Sequence, residues 1–304
     1  MSKVLIAGFG DVGQQLAGEL VKAGHQVWGI KRNPLPDFEA GISNKSASCK
    51  LILADLGKPE TLQQIPQDID FLVYCPTPDA EQSTAEGYRN IFVNGLRNAL
   101  GAINTSRLQR AFFISSTGVY GQSQGEWVDE LSETFPARFS GRVLLEAERF
   151  LQQQPVPATV IRLAGIYGPG RHQLLKKLLQ GKLPIEPLAI YTNRIHRDDA
   201  ARMIHFLIEQ DNKNNVVDKL YIGVDDKPCS KGEIATWLFQ HLSDKFGMQS
   251  APPLQNKGDQ DNLKQNKRCS NQKIKQAGFG FKYADYTSGY KAVLDQLTDL
   301  NELL

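Results

Sequence analysis

The chain has 304 residues, 41% of them hydrophobic, and a formal net charge of +2, enough for one large α/β domain or two unequal ones with a sizeable core. So small a charge gives no bulk field to draw the chain to nucleic acid or a membrane surface, and no apolar run reaches the length of a membrane span. The four cysteines, Cys49, Cys75, Cys229 and Cys269, are scattered without a C-x-x-C pair, which suits reduced thiols in the cytoplasm and argues against a zinc site or a disulfide framework. The first residues run straight into a strand pattern and carry no signal-peptide pattern.

Val4 to Ala7 is a short apolar run suited to a strand buried on both faces. Gly8, Gly10 and Gly13 follow in the spacing G-x-G-x-x-G, and Leu16, Leu20 and Val21 then recur at helical spacing. Strand, tight glycine turn and helix form the context that a dinucleotide-binding fingerprint requires. The first glycine permits the turn, the second lets the backbone approach a pyrophosphate, and the third lets helix and strand pack closely. Unpaired N–H groups at the helix start suit phosphates, so Gly8, Phe9, Gly10, Asp11, Val12 and Gly13 are read as the phosphate-binding segment. The plain alternative is a glycine-rich turn with no ligand. Gln26 to Ile30 reads as the second strand. An acidic residue that bonds the ribose hydroxyls is expected about 18–20 residues past the last glycine. Lys31 and Arg32 stand there instead. Cations attract a 2′-phosphate, so the expected cofactor is NADP, with NAD as the alternative; two solvated charges are the plain reading.

Leu51 to Asp55 reads as a third strand ending in a carboxylate, and Asp70 to Tyr74 as a fourth ending at Cys75-Pro76-Thr77-Pro78. Such ends lie at the carboxyl edge of a parallel sheet, where ligands bind, so Asp55, Leu56, Cys75, Pro76 and Thr77 are expected beside the cofactor. Cys75 reads as a small packed residue rather than a nucleophile. Residues 85–105 are helical in pattern, with Asn94 either tying two backbones or facing solvent. Arg110 to Ile114 reads as the fifth strand and runs into Ser115-Ser116-Thr117-Gly118-Val119-Tyr120-Gly121, hydroxyls that fall where a nicotinamide and a substrate would meet. Ala158 to Leu163 is the next strand, and Leu163, Ala164 and Gly165 are assigned to the cofactor. Thr117, Tyr167, Arg171, His172, Arg194 and His196 are assigned to the substrate, Arg171 and His172 as contacts for an anionic group. For that pair, two surface residues in a Gly/Pro loop is an equal reading. Asp198 and Asp199 are expected to cap a helix over 200–210. Later helices are expected over 174–180, 231–242 and 290–304, with an extended excursion over 181–192 and a polar loop over 248–267. The five histidines show no metal-ligand spacing, so no metal is expected.

Together these motifs resemble the extended short-chain dehydrogenase/reductase family, the NAD-dependent epimerases and dehydratases. Asp55 matches the family Asp that contacts adenine. Val93 to Leu100 resembles V-N-x-x-G-T-x-N-L-L, with Asn94 at the first Asn. Ser115 to Gly121 resembles S-S-x-x-V-Y-G, which puts the catalytic hydroxyl at Ser116. Arg162 to Gly170 resembles R-x-x-N-x-Y-G-P-G with Gly165 in place of Asn, and Ile195 to Ala201 resembles H-V-D-D-V-A. The glycine spacing departs from the usual G-x-x-G-x-x-G. The larger departure is the missing Tyr-x-x-x-Lys pair: aligning Pro136, Gly141 and Glu148 puts Ser140 at the Tyr position and Leu144 at the Lys position. A Leu carries no charge, and a Ser hydroxyl is a poor proton carrier near neutral pH. Arg142, Tyr120, Ser140 or a bound water are the candidates to stand in. The sequence is similar to an atypical branch with S-G-R-x-L-x-x-x-E and R-L-A-G-x-x-G-P-G-R-H.

Alternating strand and helix patterns give an α/β fold, a Rossmann-like doubly wound parallel sheet. Residues 1–165 form the expected NAD(P)-binding domain, and 166–304 a smaller substrate lobe interleaved with returns to the sheet. The resemblance implies an oxidoreductase, epimerase or dehydratase acting on a small hydroxylated molecule such as a nucleotide-linked sugar. The alternative is an inactive NAD(P)-binding sensor or scaffold. It also implies a homodimer paired through helices near 85–105 and 139–153. No nucleic-acid or membrane partner is expected.

Overall fold

The computed structural model describes residues 1–35, 48–183, 190–248 and 265–300. Among them the strands are β1 (Lys3–Ala7), β2 (Gln26–Lys31), β3 (Cys49–Leu53), β4 (Phe71–Tyr74), β5 (Arg110–Ser116), β6 (Glu126–Val128), β7 (Ala158–Leu163), β8 (Gly165–Tyr167), β9 (Tyr191–Thr192), β10 (Arg194–His196), β11 (Leu220–Gly223), β12 (Cys229–Ser230) and β13 (Lys267–Cys269). Seven of them form one parallel sheet in the order β11-β7-β5-β4-β1-β2-β3. The near-continuous apolar runs dictate this: β4 is buried throughout and Val4, Leu5, Ile6 and Ala7 of β1 are fully buried, as strands covered on both faces must be. The chain lays β2 and β3 on one side of β1, then crosses to place β4 on the other. The strand order reverses there, and the registers Ala7↔Ile30 and Ala7↔Tyr74 bring three carboxyl ends level. Such a switch point leaves a crevice above the strand ends.

The chain divides into two compact units, each assembled from interleaved segments. The first comprises Met1–Val119, Pro136–Arg162 and Ala200–Tyr221; the second comprises Tyr120–Phe135, Leu163–Asp199 and Ile222–Leu304. In the first, helix Asp11–Lys22 buries Val12, Leu16, Ala17 and Leu20, the stripe its sequence spacing gives. The helical pattern over 85–105 resolves into Ala85–Arg89, one π turn over Asn90–Asn94, and Gly95–Gly101. Tyr74 supplies the reason: its hydroxyl donates to the Ile91 carbonyl and lies where a Cβ on residue 95 would stand. A side chain pushed into the helical ladder widens the turn.

The second unit is held by short strand pairs, β8 with β10, β9 with β12, and β6 with β13, and by an apolar cluster that includes Tyr167, Leu175, Ile234, Leu238, Tyr290 and Leu294. Helix Lys231–Phe246 starts on a capping box between Ser230 and Glu233 and stops at Gly247, φ +69°. The last helix begins at Tyr286, not Tyr290, because Asp285 caps it through the Ser288 amide, and it ends at Gln296. Parts of the expected excursion, loop and terminal helix (184–189, 249–264 and 301–304) lie outside the described residues. No helix among the described residues is long and apolar enough to cross a membrane.

Candidate functional site

The crevice in the first unit is an open cleft of about 740 Å³. Of the residues assigned to the cofactor from sequence, Gly8, Phe9, Gly10, Lys31, Arg32, Asp55, Leu56, Pro76 and Thr77 line it. Val12 and Gly13 lie buried beneath it, and Cys75 and Asn94 are not in its lining. The three glycines divide their work as the physics of a Cβ requires. Gly8 has φ +105°, and a Cβ there would overlap the backbone of Cys75 and Pro76. A Cβ on Gly13 would stand 2.7 Å from the Gly8 carbonyl oxygen and 3.2 Å from Ile6 Cγ2, so glycine there sets how closely helix and strand approach. Gly10 is the helix N-cap and would point a Cβ into open space. That open backbone face is what close approach by a ligand needs.

Phe9 turns the other way: it is 1% exposed, and its ring occupies the space a side chain on Gly29 would need. Gly29 is thus a site determinant that no sequence motif marks. The Asp55 carboxylate accepts from the Gly57 N–H at 2.9 Å, and its own N–H donates to Thr61 Oγ1 at 3.0 Å, so the acid is held at the end of β3. Arg32 is ion-paired with Asp79 at 2.9 Å, both half-exposed. The thiol of Cys75 donates to the Gly8 carbonyl at 3.2 Å, and burial pushes it up to about 12, so it is a packed donor and not a nucleophile. Asn94 accepts from Arg97 at 3.2 Å; the backbone tie expected of it is made by Asn98, whose Nδ2 donates to the Leu56 carbonyl at 2.9 Å. Asn98 stands in the same sequence motif, so the signal was present one turn further on.

At the end of β5, Ser116 Oγ accepts from the Gly118 N–H at 3.0 Å. Its neighbour Ser115 points the other way and donates to Glu148 Oε1 at 2.5 Å. Arg162 grips both oxygens of Glu148, at 3.1 and 2.7 Å, and all three residues are buried. This clamp has no sequence signature, because its members lie far apart in the chain. Gly141 lets helix Phe139–Gln152 press its start against the Thr117–Val119 turn: a Cβ there would be 2.8 Å from the Gly118 carbonyl. Ser140 is therefore carried to that turn, half-buried, while Leu144 is buried beneath. Arg142 is exposed and its Nη1 donates to the Ala137 carbonyl at 3.1 Å. Tyr120 is fully buried and its hydroxyl donates to the Asp129 carbonyl at 2.8 Å. It is a structural tyrosine and does not replace the missing proton carrier.

Leu163, Ala164, Gly165 and most of the expected substrate residues belong to the second unit. Gly165 is exposed and its N–H donates to the Asn193 carbonyl at 3.2 Å. Tyr167 is buried, stacked on Tyr290 at 4.5 Å, with its hydroxyl on the Asp285 carbonyl at 3.2 Å. His196 is 1% exposed, sits 3.8 Å from the Tyr283 ring and takes the Asp198 N–H on Nδ1; burial holds it below the usual imidazole range. Tyr167 and His196 are thus both buried within this unit. Arg194 donates to Thr192 and Cys229. Arg171 and His172 are half-buried in the loop after β8, and Thr117, in the first unit, is 8% exposed. Asp199 is fully buried in the first turn of helix Arg197–Asn212 and accepts from the Lys282 and Tyr283 amides at 2.9 and 2.8 Å, so it ties down that later segment.

Known proteins share this geometry. The chain is similar to a structure from Methylobacillus flagellatus described as a candidate NAD-dependent epimerase/dehydratase, at 37% identity over 98% of this chain and 99% of that one, with a TM-score of 0.77. It is 34% identical to Protein YeeZ of Escherichia coli (strain K12) over 173 residues, a match that spans 57% of this chain and only 61% of that relative. It shares a fold with a UDP-glucuronic acid 4-epimerase from Bacillus cereus in complex with NAD, at 19% identity, TM-score 0.76, over 99% and 98% of the two chains. Residues 4–223 match the model of the NAD dependent epimerase/dehydratase family, and with the glycine turn, the switch-point cleft and the hydroxyl-bearing end of β5 in place, the chain belongs to that family.

Proposed function

We propose that the chain binds NADP in preference to NAD and acts as an epimerase/dehydratase-like oxidoreductase on a small hydroxylated molecule, of the nucleotide-linked sugar class, by a route without the Tyr-Lys pair. The observation that carries this is the open backbone face at Gly10 above a cleft bordered by Lys31, Arg32 and Asp55. The amides from Gly8 to Gly13 face the pyrophosphate, and Asp55, oriented by Gly57, faces the base. Lys31 and Arg32 take the 2′-phosphate, with Arg32 exchanging Asp79 for it. The nicotinamide, when bound, supplies or accepts the hydride. Ser116 already accepts from Gly118, so its hydrogen is the part of the hydroxyl available to a substrate carbonyl or alcohol oxygen. Ser140, at the head of its helix, is the remaining protein hydroxyl from the sequence set for relaying a proton, through water. Arg171 and His172 are proposed contacts for an anionic part of the substrate. A cytoplasmic homodimer paired through helices 85–101 and 139–152 completes the reading.

A second reading, a cofactor-bound sensor or scaffold without turnover, is favoured by one observation: the Tyr120 hydroxyl is fully buried and donates to the Asp129 carbonyl. Calorimetry with NADPH and NADH on the wild type and on Lys31→Ala/Arg32→Ala decides the cofactor. Tight NADPH binding that the double variant loses supports the assignment; binding of neither nucleotide overturns it. Turnover in a substrate screen that Ser116→Ala abolishes then separates enzyme from sensor.

A further inference from the structure

The first unit brings two imidazoles and a carboxylate together well away from the cleft. His25 stands in the loop before β2, and the cleft lies at the other end of that strand, at Ile30 and Lys31, roughly 17 Å of strand away. His205 and Glu209 are four residues apart on helix Arg197–Asn212 and so share a face. One ring nitrogen of each histidine and one Glu209 oxygen all lie within 4.8 Å of one another. His25 is 4% exposed and its Nε2 is 2.8 Å from Glu209 Oε1. His205 Nε2 is buried with no hydrogen-bond partner among the described residues, an arrangement proteins rarely leave without use. Around them, Asn212 Nδ2 reaches Glu209 Oε1 at 3.4 Å, and Ser2 Oγ holds Asn212 Oδ1 at 2.9 Å, an outer ring that orients the carboxylate. The five histidines show no ligand spacing along the chain; the fold supplies what the spacing lacks.

We propose that His25, His205 and Glu209 form a three-ligand site for a borderline divalent cation of the zinc class. Nitrogen and oxygen ligands of a tetrahedral zinc sit about 3.3–3.5 Å apart, which small side-chain movements reach from the observed separations. Two imidazoles and one carboxylate select zinc or cobalt over magnesium, which demands an oxygen-rich octahedral shell. Water completes the fourth position. The cation joins the start of β2 to a helix some 180 residues later (His25 to His205, 205 − 25 = 180). Binding has an identifiable cost. The Ser2 N–H donates to His25 Nδ1 at 3.2 Å, so Nε2 carries the ring hydrogen. The cation takes Nε2, the hydrogen moves to Nδ1, and the Ser2 N–H turns to water. That exchange limits the affinity, so the site is reversible rather than a permanent structural zinc.

The test uses the full chain, stripped with a chelator and titrated with Co²⁺ followed by its visible ligand-field bands, then with Zn²⁺ by calorimetry, with Mg²⁺ as control. The expected result is one equivalent of Co²⁺ or Zn²⁺ per chain with tetrahedral bands, no Mg²⁺ binding, and a loss of at least about tenfold in affinity in His205→Gln and Glu209→Gln. His241→Ala, in the second unit, leaves the affinity unchanged. Thermal melting in chelator checks that each variant is folded; if one is not, the wild-type cobalt spectrum decides. Absent tetrahedral bands, or binding that survives in folded His205→Gln, overturns the proposal. NADPH affinity, read in parallel, is expected to be the same with and without the cation.

Discussion

The first two glycines of the turn, Gly8 and Gly10, are expected to respond differently to a single methyl group. Gly8→Ala places a Cβ at φ +105°, 2.5–2.6 Å from the Cys75 carbonyl carbon and oxygen, with backbone and not a mobile side chain in the way. The left-handed conformation alone costs a non-glycine residue about 1–3 kcal/mol, and the overlap adds to it. A total of at least about 3 kcal/mol corresponds to a fall in Tm of at least about 5 °C for a chain of this size. Gly10→Ala has no atom within 4 Å of the new methyl. Losing glycine at an N-cap costs roughly 1 kcal/mol, and the stiffer unfolded chain offsets about 0.4–1 kcal/mol of it. Its Tm is therefore expected within about 2 °C of wild type. The methyl nevertheless stands where the proposed pyrophosphate lies, so nucleotide affinity falls by more than about tenfold, the cost of roughly 1.4 kcal/mol or more. Differential scanning fluorimetry and calorimetry on the two variants read both quantities. Equal destabilisation by the two substitutions would refute the division of roles, and wild-type NADPH affinity in Gly10→Ala would refute the placement of the phosphates.

Three further outcomes follow from charges the fold has buried or paired. Glu148→Ala leaves the Arg162 guanidinium buried without its bidentate partner and is expected to cost about 3–5 kcal/mol in urea unfolding; a loss below about 1 kcal/mol would show that the clamp is not a stabilising element. Asp79→Ala frees Arg32 and should tighten NADPH by roughly three- to tenfold while leaving NADH unchanged, since the ion pair is half-exposed and weak; equal gains for both nucleotides would remove Arg32 from the 2′-phosphate. Burial pushes Asp225 up to about 8, so between the ordinary carboxylate value and that point the folded chain holds a proton that the unfolded chain has released. The stability it contributes is complete at low pH and is lost as pH rises through about 8. Tm measured from about pH 6.5 to 9, above the range where His196 protonation intervenes, should decline in the wild type and be flatter in Asp225→Asn, and identical slopes would exclude Asp225 as the source.

How much of this was legible in the sequence varied with the range of the interaction. The sheet strands and the glycine turn are local patterns, apolar runs and fixed spacings, and β1, β2, β4 and β7 fell close to where those patterns put them. The π turn at Asn90–Asn94 was not legible, because its cause is Tyr74, a residue on another strand. Hydroxyls in the motif positions look alike in sequence, yet Ser116 accepts from the Gly118 N–H while Tyr120 gives its hydrogen to the Asp129 carbonyl. Only the folded backbone shows which carbonyl lies within reach. Asp198-Asp199 shows the same limit: the pair stands in the first turn of its helix, as the pattern suggests, but the two amides of Lys282 and Tyr283 that Asp199 also accepts come from 83 and 84 residues on and leave no local mark.

The discontinuous construction of the first unit bears on how the chain is made. Its sheet is closed on one side by β11, the last of the seven strands to be synthesised, and the neighbour that β11 covers, β7, ends at Leu163. At ~5–20 residues per second, the stretch between them takes roughly 3–12 s to emerge. Throughout that interval β7 has a bare row of N–H and C=O groups on its outer side, set in a strand with five of six positions buried in the finished fold, Val160, Ile161 and Leu163 among them. Newly made chains on one messenger are close neighbours at that moment. The nascent protein is thus most exposed to edge-to-edge association while the Leu163–Asp199 part of the second unit and the helix that follows it are being made, and it leaves that hazard only when Leu220–Gly223 docks.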